Sequence, residues 1–176
     1  MARHQTGSAK GIFHEHYTQL SKRLKDPYAE YQGGVEPAVC PTCKLIYQKK
    51  RWHRDDPQAK LLLKDKGAKR HLCPACHKIK DNYPLGIVNI RGDFLAEHFE
   101  DVVHLIKSEE RRAEQKNPLE RLMKIDKVNG GLHVETTSET LAMRLGHVLQ
   151  RAFKGDTDFK FKSGNKYVEV DWSRGS

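Results

Sequence analysis

The chain has 176 residues, of which 37% are hydrophobic and 31% charged, with a net charge of +9. That is enough for one ordinary domain or two small ones, and the modest apolar share favours two small folded units over one large core. No stretch approaches the roughly eighteen apolar residues that span a bilayer, and the first residues, among them Arg3, His4, Lys10 and Glu15, lack the apolar centre of a secretory signal; a soluble, cytoplasmic protein with reduced thiols is expected.

The charge is unevenly placed. Residues 1–80 hold 17 Lys and Arg against 7 Asp and Glu, whereas residues 81–176 hold 15 against 16. A basic excess confined to one half is the footprint of a surface that neutralises phosphates, with solubility as the plainer alternative.

In chain order, residues 1–38 mix Gly, His, Lys, Arg and Tyr without a sustained apolar period and end at Gly33-Gly34 and Glu36-Pro37, the pattern of a basic flexible arm. Tyr17, Leu20 and Leu24 recur at helical spacing, which allows a short docking helix over 13–25. Residues 39–90 hold both cysteine pairs and form the expected zinc-binding basic domain. Linking helices are expected over 91–129. Leu95, Phe99, Val102 and Ile106 form an apolar stripe on a helix that Asp93 would cap. Asn117-Pro118 then opens a second helix, buried through Leu119, Leu122 and Met123 and stopped by Asn129-Gly130-Gly131.

Over 130–173 the period alternates. Leu132, Val134 and Thr136 repeat every second residue; Leu141, Leu145, Val148, Leu149 and Ala152 recur at helical spacing. Alternation returns in Phe159/Phe161 and Val168/Val170/Trp172 around a Ser163-Gly164-Asn165 turn. The fold class expected is therefore α+β: a zinc ribbon or knuckle module, linking helices, and a small β-α-β-β unit.

The four cysteines carry the strongest chemical signal. A Cys-x-x-Cys turn delivers two thiolates to adjacent corners of a tetrahedron, and two such turns complete a closed structural zinc site. Here they are Cys40-Pro41-Thr42-Cys43 and Cys73-Pro74-Ala75-Cys76, separated by 29 residues that must fold as their own excursion with Leu61-Leu62-Leu63 as apolar anchor. A redox dithiol would need a flanking βαβ pattern and gives no reason for two pairs. His53, His71 and His77 are near enough in sequence to replace a cysteine as ligand, and are otherwise surface or phosphate contacts.

Between the pairs, Lys44, Lys49, Lys50, Arg51, Trp52, His53, Arg54, Lys69 and Arg70 combine cations for phosphates with planar groups for unpaired bases, and are the candidate RNA-binding residues. Tyr47 and Trp52 have a second reading, as apolar cover over the knuckles.

This order of Cys-Pro-x-Cys, basic loop with Trp52-His53-Arg54, second Cys-Pro-x-Cys, Asp81-Asn82-Tyr83-Pro84-Leu85-Gly86 and a β-α-β-β tail resembles a bacterial family of short double Cys-Pro-x-Cys zinc proteins over about residues 38–172. The knuckles, Gly86 and the Leu141–Phe153 helix followed by Lys154-Gly155 are also distantly similar to the N-terminal half of the large-ribosomal-subunit export adaptor of eukaryotes and archaea. That resemblance implies a zinc-stabilised module seated on the large ribosomal subunit; the adaptor has additional zinc cysteines, where this sequence has four.

The expected function is that of a non-enzymatic, zinc-stabilised RNA-binding protein associated with the ribosome through rRNA, in translation, assembly or hibernation. Ribosomal proteins are possible further partners, and a monomer is expected when free. A DNA-binding regulator or a protein–protein adaptor built on the same module is the alternative, although no helix beside the knuckles presents several base-reading Arg, Asn or Gln residues. No catalytic residue is assigned: the sequence has no phosphate-cradling Gly-rich loop, no His-Glu-x-x-His helix and no Ser nucleophile elbow, and Asp55-Asp56 before Pro57 reads as a solvated turn.

Overall fold

The structure, a computed structural model, describes residues 26–29, 35–162 and 166–175. The helix considered over 13–25, most of the basic arm and the Ser163-Gly164-Asn165 turn lie outside the described residues.

Two sheets organise the chain, as expected for an α+β protein. The first has four short strands, β1 (Ala38–Val39), β2 (Ile46–Gln48), β3 (Arg51–His53) and β4 (Lys69–Arg70), in the order β3-β2-β1-β4. Ala38, Tyr47 and Trp52 are cross-strand neighbours on one face, and Val39, Ile46 and His53 on the other. Helix α1 (Asp56–Lys64) starts where Asp55 accepts a hydrogen bond from Gln58 N at 3.0 Å, with proline in its first turn. It covers the second face by packing Ala59, Leu62 and Leu63 on Val39 and Ile46, while Leu61 stays exposed. The long excursion between the knuckles is thus a two-strand hairpin, a helix and a further strand that returns the chain to β1. Helix α2 (Pro74–Lys80) follows.

The second sheet runs β6-β7-β5-β9-β8, from β5 (Gly86–Arg91), β6 (Leu122–Val128), β7 (Gly131–Thr136), β8 (Asp156–Phe161) and β9 (Val168–Ser173). Strands β5 and β9 are parallel; the other pairs are antiparallel. Val88, Ile90, Leu132, Val134, Val168, Val170 and Trp172 line the buried face. Helix α3 (Phe94–Lys116) contributes Leu95, Val102 and Ile106 to this core, and α4 (Glu139–Phe153) contributes Leu141, Ala142, Leu145 and Leu149. Ser138 caps α4 by accepting from Leu141 N at 3.1 Å. Gly86 lets α4 sit directly on β5, since a Cβ there would lie 2.4 Å from Ala142 Cβ and 3.0 Å from the Ser138 carbonyl oxygen.

Three local expectations are corrected. The helix expected from Leu119 to Asn129 is strand β6, whose ladder with β7 runs from Leu122 to Val128. Asn117-Pro118 makes a turn instead of a helix start: Asn117 Oδ1 accepts from Leu119 N at 3.2 Å, and the Asn117 carbonyl accepts from Glu120 N at 3.0 Å. Pairing with β7 and burial of Leu122 and Ile125 against the core outweigh the local pattern there. Asp93 has helical backbone angles and makes no capping bond; the chain turns into α3 at Gly92, at φ +113°. Finally, β5 falls within the stretch assigned to the zinc domain yet belongs to the second sheet, between β7 and β9.

Candidate metal centre and basic surface

The first Cys-Pro-x-Cys follows β1. Cys40 N donates to the Leu45 carbonyl at 2.8 Å and Lys44 N to the Cys40 carbonyl at 3.0 Å, a turn that Lys44 completes at φ +64°. The second opens α2. Cys73 is the residue before the first turn, its sulfur accepting from Cys76 N at 3.4 Å, with Pro74 at the helix start where a missing N–H costs nothing. The two turns face each other so that all four sulfurs lie within 4.8 Å of one another, with Cys43 and Cys73 at 3.6 Å.

A tetrahedral ion bound through ~2.3 Å metal–sulfur bonds sets its ligands roughly 3.8 Å apart, so the spacing fits one metal ion held by Cys40, Cys43, Cys73 and Cys76. All four are free of disulfides. Cys40, Cys73 and Cys76 are buried, Cys43 is partly exposed, and Ala38, Leu45, Tyr47, Trp52 and Ala75 pack around them. His53, His71 and His77 are not part of the cluster. His71 stands edge-on to the Trp52 ring at 5.3 Å, and burial lowers its pKa; His77 lies beside Tyr28.

Electrostatics explain why the cluster suits a cation. As bare thiols the four compete for protons. Hydrogen bonds from Cys43, Cys73 and Cys76 push Cys40 far down, and Cys43, opposed by its bond to Cys40 but helped by Cys73, Cys76 and Arg121, falls to about 6. Cys73 and Cys76 are pushed up by Cys40 and Cys43, with burial adding to the rise. Four sulfurs this close cannot all ionise unless positive charge sits among them.

Some of that charge comes from a residue the sequence did not single out. Arg121, on the turn between α3 and β6, directs Nη1 at Cys76 Sγ (3.7 Å) and Nη2 at Cys73 Sγ (3.9 Å). Burial opposes its charge, but the hydrogen bond to Cys43 and the pull of the Cys43, Cys73 and Cys76 sulfurs outweigh it and hold the guanidinium protonated beyond its ordinary range. No local pattern marks Arg121, which lies 45 residues past Cys76; only the fold brings it there.

Of the candidate RNA-binding residues, Lys44, Lys49, Lys50, Arg51, Arg54, Lys69 and Arg70 are exposed, His53 is half-buried and Trp52 is buried. Tyr47 and Trp52 pack on each other with ring centroids 5.3 Å apart, over the cysteines. Their role as cover is the one the structure bears out; as folded, Trp52 offers no face to a base. The cations do not form one knot. Arg51 and His53 lie on edge strand β3 and Lys69 and Arg70 on the opposite edge strand β4, about 14 Å apart at the usual strand spacing. Lys49 and Lys50 form the two-residue turn of the β2–β3 hairpin, both at positive φ (52° and 59°), with their amides donating to the Glu36 carboxylate at 2.7 and 2.8 Å. Among the described residues, no helix is long and apolar enough to cross a membrane.

Comparison of the chain with protein-family models, curated proteins and solved structures gives no match.

Proposed function

We propose that this chain is a non-enzymatic RNA-binding protein, stabilised by one structural zinc ion and associated with the ribosome through rRNA of the large subunit, in translation, assembly or hibernation. The observation that supports it best is the exposure of Lys44, Lys49, Lys50, Arg51, Arg54, Lys69 and Arg70 around the cysteine cluster. Cations spread along two edges of a rigid small sheet suit a phosphate backbone better than a single anion. The metal's part is mechanical. Soft thiolates favour zinc over hard cations, and a closed four-cysteine site fixes the two knuckles from which the basic hairpin and β4 project. With Trp52 packed inward, recognition rests on phosphate and shape more than on base stacking.

The test is a sucrose gradient of cell lysate at low and high salt, following the wild type and a Cys73→Ser/Cys76→Ser variant. Comigration with the large subunit or whole ribosomes, lost at high salt and in the variant, is the expected result. A protein that stays at the top of the gradient throughout would overturn the ribosomal reading. Binding that survives high salt and nuclease treatment would point to a protein–protein adaptor, and preference for duplex DNA over rRNA of equal length to a DNA regulator.

A further inference from the structure

We infer that Arg121 is the outer partner of the metal–thiolate centre, and that metal binding and the docking of the cysteine module on the second sheet are one coupled event. This rests on the reading of the four cysteines as a metal site.

The geometry is that of a built contact. The Arg121 side chain is 11% exposed. Its Nε donates to the Pro118 carbonyl at 2.8 Å, which aims the two terminal nitrogens at Cys76 and Cys73. Its backbone is clamped to the end of β7: Arg121 N donates to Thr137 Oγ1, and Thr137 N to the Arg121 carbonyl, both at 2.9 Å. The fork is therefore held by the second sheet and spent on the sulfurs of the first unit. Leu119, from the same turn, packs against the cysteine cluster beside it.

Charge makes the contact conditional. Glu114 lies 3.7 Å from Nε and is 31% exposed, a loose and partly solvated counter-ion, and the half-buried Glu110 carboxylate, which Arg121 also attracts, is shared with the Leu122 amide at 2.7 Å. A guanidinium this buried, with one carboxylate loose and the other shared, is costly without further negative charge beside it. Four thiolates around a divalent ion leave a local charge of −2, and N–H donors directed at such sulfurs both offset that charge and fix the ligands. The two units are thus complementary when the four cysteines hold a metal, because the Arg121 fork is then aimed at a negatively charged centre. Reciprocity then requires that docking tighten metal binding as much as metal tightens docking.

The experiment uses the full chain with zinc or cobalt(II), in the wild type, Arg121→Met and Arg121→Lys. Zinc affinity is measured against a chromophoric chelator, hydrogen exchange at the Arg121 and Thr137 amides is followed with and without zinc, and the sulfur-to-cobalt charge-transfer band is recorded. The expected result is a loss of zinc affinity of about 10–100-fold in Arg121→Met, the scale typical of outer-shell partners, with a smaller loss in Arg121→Lys and a displaced charge-transfer band in both. In the wild type, zinc removal should deprotect the Arg121 and Thr137 amides. A wild type that binds zinc but shows no zinc-linked protection at those amides would overturn the inference even if Arg121→Met fails to fold. So would variants with unchanged affinity and an unmoved band. A wild type that takes up neither zinc nor cobalt would overturn the metal reading itself.

Discussion

Lys78 Nζ donates to the Thr137 carbonyl at 3.0 Å, so the helix that carries Cys76 is bonded to the last turn of chain before α4. The same ammonium meets Asp26 Oδ2 at 2.6 Å and is 5% exposed. With Arg121 it makes two cationic ties between the cysteine module and the end of β7.

Removing that ammonium leaves a buried carbonyl and a carboxylate short of a donor, so Lys78→Met should destabilise the folded chain by about 1–3 kcal/mol despite its similar length. Denaturant unfolding of the wild type and the variant measures this. A loss below a few tenths of a kcal/mol would show that water replaces both bonds freely.

The two tryptophans report separately on the two units. Trp52 packs over the cysteines, whereas Trp172 is buried in the second core and donates to the Lys154 carbonyl at 2.8 Å. Chelation of the metal should therefore shift the emission of Trp52 to longer wavelength in a Trp172→Phe variant and leave Trp172 little changed in a Trp52→Phe variant. Equal shifts of both emissions would mean that the second sheet cannot hold its core without the metal.

The Lys49–Lys50 turn stores strain. Two lysines occupy left-handed backbone where Asn-Gly is the usual pair for a two-residue hairpin, at a cost of roughly 1–2 kcal/mol for each such residue, part of which glycine returns through its freer unfolded state. Lys49→Asn/Lys50→Gly should stabilise the protein by about 1–2 kcal/mol in thermal or denaturant melts. If the hairpin grips phosphates, the same pair of changes should lower the salt slope of RNA binding by about 2, close to 1 per lysine removed. A stabilised variant with an unchanged slope would remove these two residues from the interface.

Patterns spanning one element were legible in the sequence: the period-two stretch at Leu132–Thr136, the helix through Leu141 and Leu149, the strand through Val168 and Trp172, and the cysteine turns, whose ligand geometry is local. What escaped depends on partners distant in sequence. Strand β5 is a six-residue run, Gly86–Arg91, that becomes central only by pairing with β9 some 80 residues later. Strand β6 looked helical because Leu119, Leu122 and Met123 share helical spacing, yet β7 was the better partner. Nothing in the sequence marks Arg121 or Lys78, which the fold buries beside the cysteine cluster or β7. Trp52 was open to two readings, and strand alternation decided it: Tyr47 and Trp52 face each other across β2 and β3 on the cysteine side.

Glu120 offers a pH test of burial. It is 9% exposed, and burial raises its pKa; the opposing help from Arg144, 3.7 Å away, and from the Asn117 amide does not fully compensate, and Glu139 adds repulsion. A carboxyl whose pKa is higher folded than unfolded favours the fold most when protonated. Its contribution is complete below the unfolded value of about 4.3 and is lost as pH rises through the folded value. At pH 7 the ionised form therefore penalises folding, and Glu120→Gln, which keeps the shape and an acceptor for Asn117, removes the penalty. Thermal melts should show the variant more stable than the wild type at pH 7, with the advantage shrinking as pH falls and vanishing near pH 4. A variant less stable at pH 7 would mean that the Arg144 pair outweighs burial and that Glu120 stays ionised to the benefit of the fold.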